Sequence, residues 1–557
     1  MRYFLAIASL AALGFPAHGQ DDASTTYRHH VAIADSDSDD EILAKAACVV
    51  PSHAQVLHHA DGFLGFLHFG PNTFSGVEWG SGMEDPQIFH PGASYDPAQW
   101  VRIAKAAGMT KLVLTAKHHD GFCLWQTRYN DKFSVRSIAW RDGRGDVMSD
   151  LAQACRTQGI KLGVYLSPAD LYQIEQAAGL YGNQSAVRPT VIPTDPAHFH
   201  DQPTARRPDA SADLPTLEIE VDDYNRYYMN QLYELLTEYG PIHEVWFDGA
   251  HPKRKGGQQY DKPAWFDLVR RLAPEAVVFG GPDARWCGNE QGGTRKSEWS
   301  VLPVYDEAAS GFDRTDDDLG SDASLLARNY HANGRTWKSQ FLYYLVNEVD
   351  TSIRDGWFWR NDQEQRVRDA DEIFDIYERA VGGNSTFLLN LPPNRDGLVS
   401  ARDEACLREV GRRIQAVYSE SLARDGKVLA AMDETQDRRT PDDRATALLD
   451  DASETSWQAA SKGFTLELEL PISRTVNRFV VQEDVARVGQ RVASHRLDAW
   501  VDGQWQTIAR GTTIGYRKIL RFPNVHAQRF RLYVEDSRLP PALTRLALHY
   551  FRNPLQP

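Results

Sequence analysis

The stretch His243-Glu-Val-Trp-Phe-Asp-Gly-Ala-His-Pro252 (HEVWFDGAHP) decides how this chain is read. Its β-branched and aromatic residues predict a short buried strand, which stops abruptly at Asp248, Gly249 and a polar loop. An acid at the C-terminal mouth of such a strand is where parallel α/β barrels carry their reactive groups. Asp248 is therefore the first candidate site residue, and its neighbours decide whether a barrel surrounds it.

They repeat one unit. An apolar strand from Phe63 to Phe69 delivers His68, and the glycine-rich loop after it carries Glu78 and Trp79. Asp96 and Pro97 then supply an N-cap and a first helical residue. Trp100, Ile103, Ala104 and Ala107 form one apolar helix face, and Gly108 stops the helix. The strand Lys111 to Lys117 ends at His118-His119-Asp120-Gly121. A helix over Leu151 to Gln158 precedes KLGVYLS, which delivers Tyr165 and Ser167. A helix with Leu232, Leu235, Leu236 and Tyr239 on one face precedes the Asp248 strand, and one starting at Pro263 precedes AVVFGG. Four helix-then-strand units whose strands end in polar or glycine-rich sequence predict a parallel (β/α) barrel; a doubly wound sheet is disfavoured because no GxGxxG follows a strand. The Pro-, Asp- and His-rich insertion Ala169 to Val221 follows a barrel strand and is expected on the active face. From about Lys427 the texture changes to period-2 runs (FTLELELP, RFVVQE, RLDAWVDGQWQTIA, RFRLYVE), which predict an all-β sandwich beyond a boundary at Ala423 to Gly426.

Bulk properties narrow the function. A chain of 557 residues exceeds one ordinary core. A formal charge of -15 argues against a nucleic-acid partner, which needs a basic footprint. Fourteen Trp and 22 Tyr suit stacking on sugar faces, although most aromatics fill cores. Five scattered cysteines without a CxxC pair indicate neither a disulfide framework nor a structural zinc site. Met1 to Gly19 has one basic residue, an apolar core and a small-x-small end, and is expected to be a signal peptide of a secreted or periplasmic protein. Residues 20–50 are expected to form an acidic tether, and no later stretch is apolar for long enough to span a bilayer.

The chemistry rests on carboxylates. Adjacent strand residues point to opposite faces, so one metal could take both His118 and His119 only if the strand had already ended, and no HExxH accompanies them. Recognition of sugar hydroxyls is the favoured role for the pair over a metal-dependent hydrolase. If Asp248 cleaves a glycoside it needs a partner carboxyl. The sequence after AVVFGG offers Asp283, Glu290 and Glu298. Glu290, flanked by Trp286 and Cys287, is expected to be partly buried, which would raise its pKa as a general acid requires; Glu298 is its rival. A serine hydrolase fits poorly without a GxSxG.

HFGPNTF with EWG, TAKHHDGFCLW, GVYLS, EVWFDGA and RWCGNE with SEW together resemble the glycoside hydrolase family 29 α-L-fucosidases from about Pro51 to Leu422. RWCGNE and SEW look like the subfamily that prefers α-1,3/1,4-linked fucose. LLDDASETSW and RKILRF are similar to coagulation factor 5/8 type C (discoidin-like) domains. The resemblance implies a retaining exo-enzyme with Asp248 as nucleophile and Glu290 as acid/base. It also implies fucose contacts from His68, Glu78, Trp79, His118, His119, Tyr165 and Trp246. A fucosylated glycan would be the partner, with no cofactor and no metal.

Overall fold

The computed structural model describes residues 29–304, 319–327, 329–332, 335–361, 363, 365–431, 440–450 and 455–552. The leader-like segment and the start of the acidic run lie outside these residues. The described part of that run is not a tether. His30–Ala32 pairs with the strand Phe341–Tyr344, and Asp39–Ala46 forms helix α1. Ser38 caps α1 in a reciprocal capping box with Glu41, and Asp39, Asp40 and Glu41 fill its first turn. Acids expected to belong to a tether instead meet the positive end of a helix dipole.

Eight parallel strands close the predicted barrel: β1 (Phe63–Leu67), β2 (Lys111–Lys117), β3 (Lys161–Leu166), β4 (Glu244–Trp246), β5 (Val277–Phe279), β6 (Ala284–Trp286), β7 (Val346–Ser352) and β8 (Ser385–Asn390). They follow chain order around the circle, and β8 returns to pair with β1 through Phe387 and Phe63. Helices α2 (His53–Asp61), α3 (Pro97–Ala107), α4 (Val147–Gln158), α5 (Asp223–Glu238), α6 (Lys262–Leu272), α7 (Ala370–Ala380) and α8 (Ala401–Tyr418) lie outside it. Strand alternation divides the core. Phe63, Leu67, Leu112 and Leu114 face the helices, whereas Leu64, Phe66, Val113, Tyr165, Trp246, Phe279 and Leu388 fill the interior.

The interior also buries charge. The Trp246 indole N–H donates to Glu348 Oε1 at 2.9 Å, and Glu348 Oε2 lies 3.1 Å from His58 Nε2. Lys111 Nζ sits 2.9 Å from His58 Nδ1 and 3.2 Å from both Glu244 and Asp61. Burial, and then Lys111, push His58 down to about 4; burial and the neighbouring Glu348 push Glu244 up to about 7.

The C-terminal part is an antiparallel sheet domain: β9 (Lys427–Ala431), β10 (Phe464–Glu483), β11 (Val492–Val501), β12 (Gln504–Gly511), β13 (Lys518–Ser537) and β14 (Ala542–His549). β10 and β13 pair along their lengths with register shifts after Glu469 and Val476. Leu466, Leu468, Phe479, Leu497, Phe530, Leu532 and Leu546 form its core. Trp500 and Trp505 pack edge to face, ring centroids 5.3 Å apart, and Tyr516 lies elsewhere. Arg529 lies over both indoles at 5.0 and 5.2 Å, Arg531 covers Trp505 at 3.9 Å, and Tyr516 stacks on His59 of the barrel at 4.8 Å. Among the described residues no helix is long and apolar enough to cross a membrane.

Helices α3 and α8 approach closely because Gly411 has no side chain: a Cβ there would lie 1.8 Å from the Ala106 carbonyl oxygen. Gly411→Ala is expected to cost about 1–3 kcal/mol, read as a lower urea midpoint with an unchanged m-value.

Candidate active site

Strand ends bring the predicted residues to the C-terminal mouth of the barrel. Asp248 lies two residues beyond β4, with its side chain 24% exposed. Its Oδ2 accepts a 3.0 Å hydrogen bond from the Tyr165 hydroxyl and lies 3.8 Å from His119 Nε2, while Oδ1 accepts the Ala250 N–H at 2.6 Å. Both oxygens are oriented, yet the group stays reachable. Tyr165 is buried, and burial together with Asp248 raises its phenol well above the usual range, so it stays a donor.

The neighbours of His119 and His68 fix which ring nitrogen carries the proton. β2 ends at Lys117, so His118 and His119 are already past the strand, and their rings come within 4.2 Å on the same side. The condition for both to face one ligand is thus met. The Ser167 hydroxyl donates to Ala169 O, so it accepts from His119 Nδ1 at 2.7 Å. Burial lowers the His119 pKa against the opposing pull of Asp248. A neutral ring protonated on Nδ1 leaves Nε2 as an acceptor. His68 repeats this, its Nδ1 bonded at 3.0 Å to the Asn390 side-chain oxygen, with burial pushing it down to about 3. Burial also lowers His118 well below the usual histidine range, and its buried Nδ1 has no hydrogen-bond partner. Asp120 turns away to hold the loop, accepting from Phe122 N–H at 2.7 Å and from Asn72 at 3.2 Å.

Aromatic rings build the walls. Trp246 is stacked on Phe279 at 4.0 Å and on Tyr165 at 5.3 Å. The half-exposed Trp79 ring lies 3.9 Å from His119. Glu78 Oε2 accepts the Trp357 backbone N–H at 2.8 Å and so joins the loop after β1 to the loop after β7. Trp357 and Phe358, which were not predicted, stand 5.0 and 5.3 Å from the His68 ring. The aromatic run GWFWR following the strand VNEVDTS is the signal that could have found them.

The candidates for the second carboxyl separate. Glu290 is exposed, which corrects its expected burial: the Asn289 side chain accepts the Gln291 and Gly293 N–H groups, and this turn carries Glu290 outward. The Trp357 indole donates to its Oε2 at 3.1 Å, connecting it to the His68 wall. Glu298 is buried, with its carboxylate committed to Arg285 and Arg295 and its N–H donating to Thr513 of the C-terminal domain, so it is not free to serve as an acid. Asp283 is paired with Arg270. Among the described residues, the His/Cys/Asp/Glu group close enough to ligate one metal is His58, Glu244 and Glu348 in the barrel interior, where the Lys111 ammonium already provides the cation. His118 and His119 do not belong to it.

Residues 75–417 match a family model described as Alpha-L-fucosidase. The chain is 34% identical over 507 residues to Alpha-L-fucosidase 1 of Arabidopsis thaliana, covering 90% of this chain and 87% of that protein. A solved structure from Bacteroides ovatus ATCC 8483 superposes with a TM-score of 0.75 at 34% identity, over 95% of this chain and 79% of the other. A Ruminococcus gnavus GH29 fucosidase in complex with fucose superposes with a TM-score of 0.70 at 26% identity, over 94% and 97% of the two chains.

Because burial lowers the folded pKa values of His68 and His118, protonation favours the unfolded chain. The stability contributed by their neutral forms is full above the unfolded value near 6.5 and is lost as pH falls towards the folded values. His68, pushed down to about 3, is expected to add a slope of about 1.4 kcal/mol per pH unit between roughly pH 6 and 4. Its imidazole ¹⁵N shifts should remain those of a neutral ring throughout that range.

Proposed function

The chain belongs to the alpha-L-fucosidase family of glycoside hydrolases, and on that premise we propose that it releases terminal α-1,3/1,4-linked L-fucose with retention, through a covalent fucosyl-Asp248 intermediate. The carrying observation is the Asp248 carboxylate, held by Tyr165 and Ala250 at the mouth of a barrel strand and still open to the pocket. A nucleophile needs this combination. Fixed oxygens lower the cost of orienting it, and an exposed edge lets it reach the atom it attacks.

In this reading Asp248 attacks the anomeric carbon while Glu290 gives its proton to the departing glycosidic oxygen. Glu290 then takes a proton from water, which attacks the same carbon and frees Asp248. The exposed position of Glu290 beside Trp357 suits a group that must meet a leaving group arriving from solvent and then a water molecule. The acceptor nitrogens of His68 and His119 and the unpartnered His118 would receive sugar hydroxyls. Glu78, Trp79 and Trp246 would complete the fucose contacts, with apolar ring surface against the C5 methyl. The α-1,3/1,4 preference rests on the likeness of RWCGNE and SEW to that subfamily. The leader-like Met1 to Gly19 supports action outside the cytoplasm, and the antiparallel C-terminal domain is consistent with a discoidin-like module.

Asp248→Gly is expected to lower kcat on an aryl fucoside by roughly a thousandfold or more, with azide restoring turnover and giving the β-fucosyl azide. A wild-type rate for this variant would falsify the assignment. Glu290→Ala should lose far more activity on oligosaccharides than on substrates with good leaving groups, by roughly 10²–10⁴-fold for the former. Lewis-type trisaccharides should be cleaved in preference to α-1,2-fucosyllactose; the reverse order rejects the linkage assignment.

A further inference from the structure

The loop that carries Glu290 is held by two domains. Its near limb lies on the barrel: Cys287 N–H donates to Glu348 O at 3.0 Å, and the Thr351 hydroxyl donates to Glu290 O at 2.8 Å. Its far limb is gripped by the C-terminal domain. Thr513 Oγ1 accepts the Glu298 N–H at 3.0 Å, and Thr512 Oγ1 donates to Lys296 O at 2.6 Å. The Gln490 side chain donates to Glu298 O at 2.9 Å and accepts the Ser300 N–H at 2.8 Å. Arg295 ties the limbs together, pairing with Glu298 at 3.2 Å and donating to Cys287 O at 2.9 Å, three residues before Glu290. Glu298 is 2% exposed and also pairs with Arg285 of β6, so moving its carboxylate would remove an ion pair from each of two buried guanidinium groups.

We propose that Glu298 and Arg295 are positioning residues for Glu290, and that the C-terminal domain takes part in catalysis by holding their loop through Thr513 and Gln490. This rests on the reading of Glu290 as the acid/base. Acid catalysis depends on placing the proton within hydrogen-bond reach of the leaving oxygen, so loosening the far limb acts on proton donation and spares nucleophilic attack. The barrel holds Asp248 by contacts in which the C-terminal domain has no share.

The test is the double variant Thr513→Val/Gln490→Leu in the full chain. It is compared with wild type on an aryl fucoside with a good leaving group and on a fucosylated trisaccharide. Expected is a fall in kcat of roughly tenfold on the trisaccharide and less than about twofold on the aryl fucoside, with KM nearly unchanged. The limb of the pH profile assigned to the acid should shift for the trisaccharide, and Thr513→Ser should behave as wild type. Arg295→Lys keeps the charge but shortens the brace, and it serves as the second route if the double variant does not fold. An equal fall on both substrates, or no fall, overturns the proposal. Glu290→Ala is measured alongside. If it lacks leaving-group selectivity, the acid/base reading fails; if it shows selectivity and the loop variants do not, only the present proposal fails.

Discussion

The hydrogen bond from the Trp246 indole to the Glu348 carboxylate fastens the floor of the pocket to a column of charge along the barrel axis. A carboxylate buried among apolar side chains is costly unless it is paired and bonded, and here one lysine serves Glu244, Asp61 and His58, while His58 in turn meets Glu348. The rise of Glu244 to about 7 is how that balance is struck, because one proton shared near neutrality brings the column closer to charge neutrality. With its N–H committed, Trp246 cannot swing. The rings stacked on it, Phe279 and Tyr165, inherit its position, and Tyr165 passes that position to Asp248.

Upper and lower parts of the site therefore differ in kind. The floor is set by buried strands whose side chains have nowhere else to go. The rim is made of loops with exposed groups, Trp79 and Glu290 among them, joined by a few polar contacts such as those of Glu78 with Trp357 and Arg360. The floor is thus the fixed part of the site and the rim its adaptable part.

Legibility in the sequence followed the same division. Strands with a continuous apolar run and a glycine stop were readable, and Lys111 to Lys117 was predicted to the residue. β7 and β8 were missed because VNEVDTS and STFLLN mix polar and apolar residues; Glu348, Thr386 and Asn390 point inwards to pair with groups distant in sequence. Asp248 was visible because a strand-end acid is a local pattern. The fate of Glu298 was not, since its partners Arg285, Arg295 and Thr513 come together only when two domains meet. The acidic run near Ser38 misled for a related reason, because composition does not reveal which acids cap a helix. Trp500 and Trp505 show aromatic faces already occupied by arginines, a pairing across strands that alternation within one strand does not disclose.

Closing the circle in chain order has a kinetic side. β1 leaves the ribosome early, but its partner β8 arrives only with residues 385–390, and Phe63 must wait for Phe387. At ordinary synthesis rates that wait is roughly tens of seconds. Throughout it, one edge of FLGFL carries unpaired backbone groups on an apolar strand, the kind of edge that recruits foreign strands. Yield in a heterologous host would then be governed less by the stability of the finished barrel than by what shields that edge while the last strand is still being made.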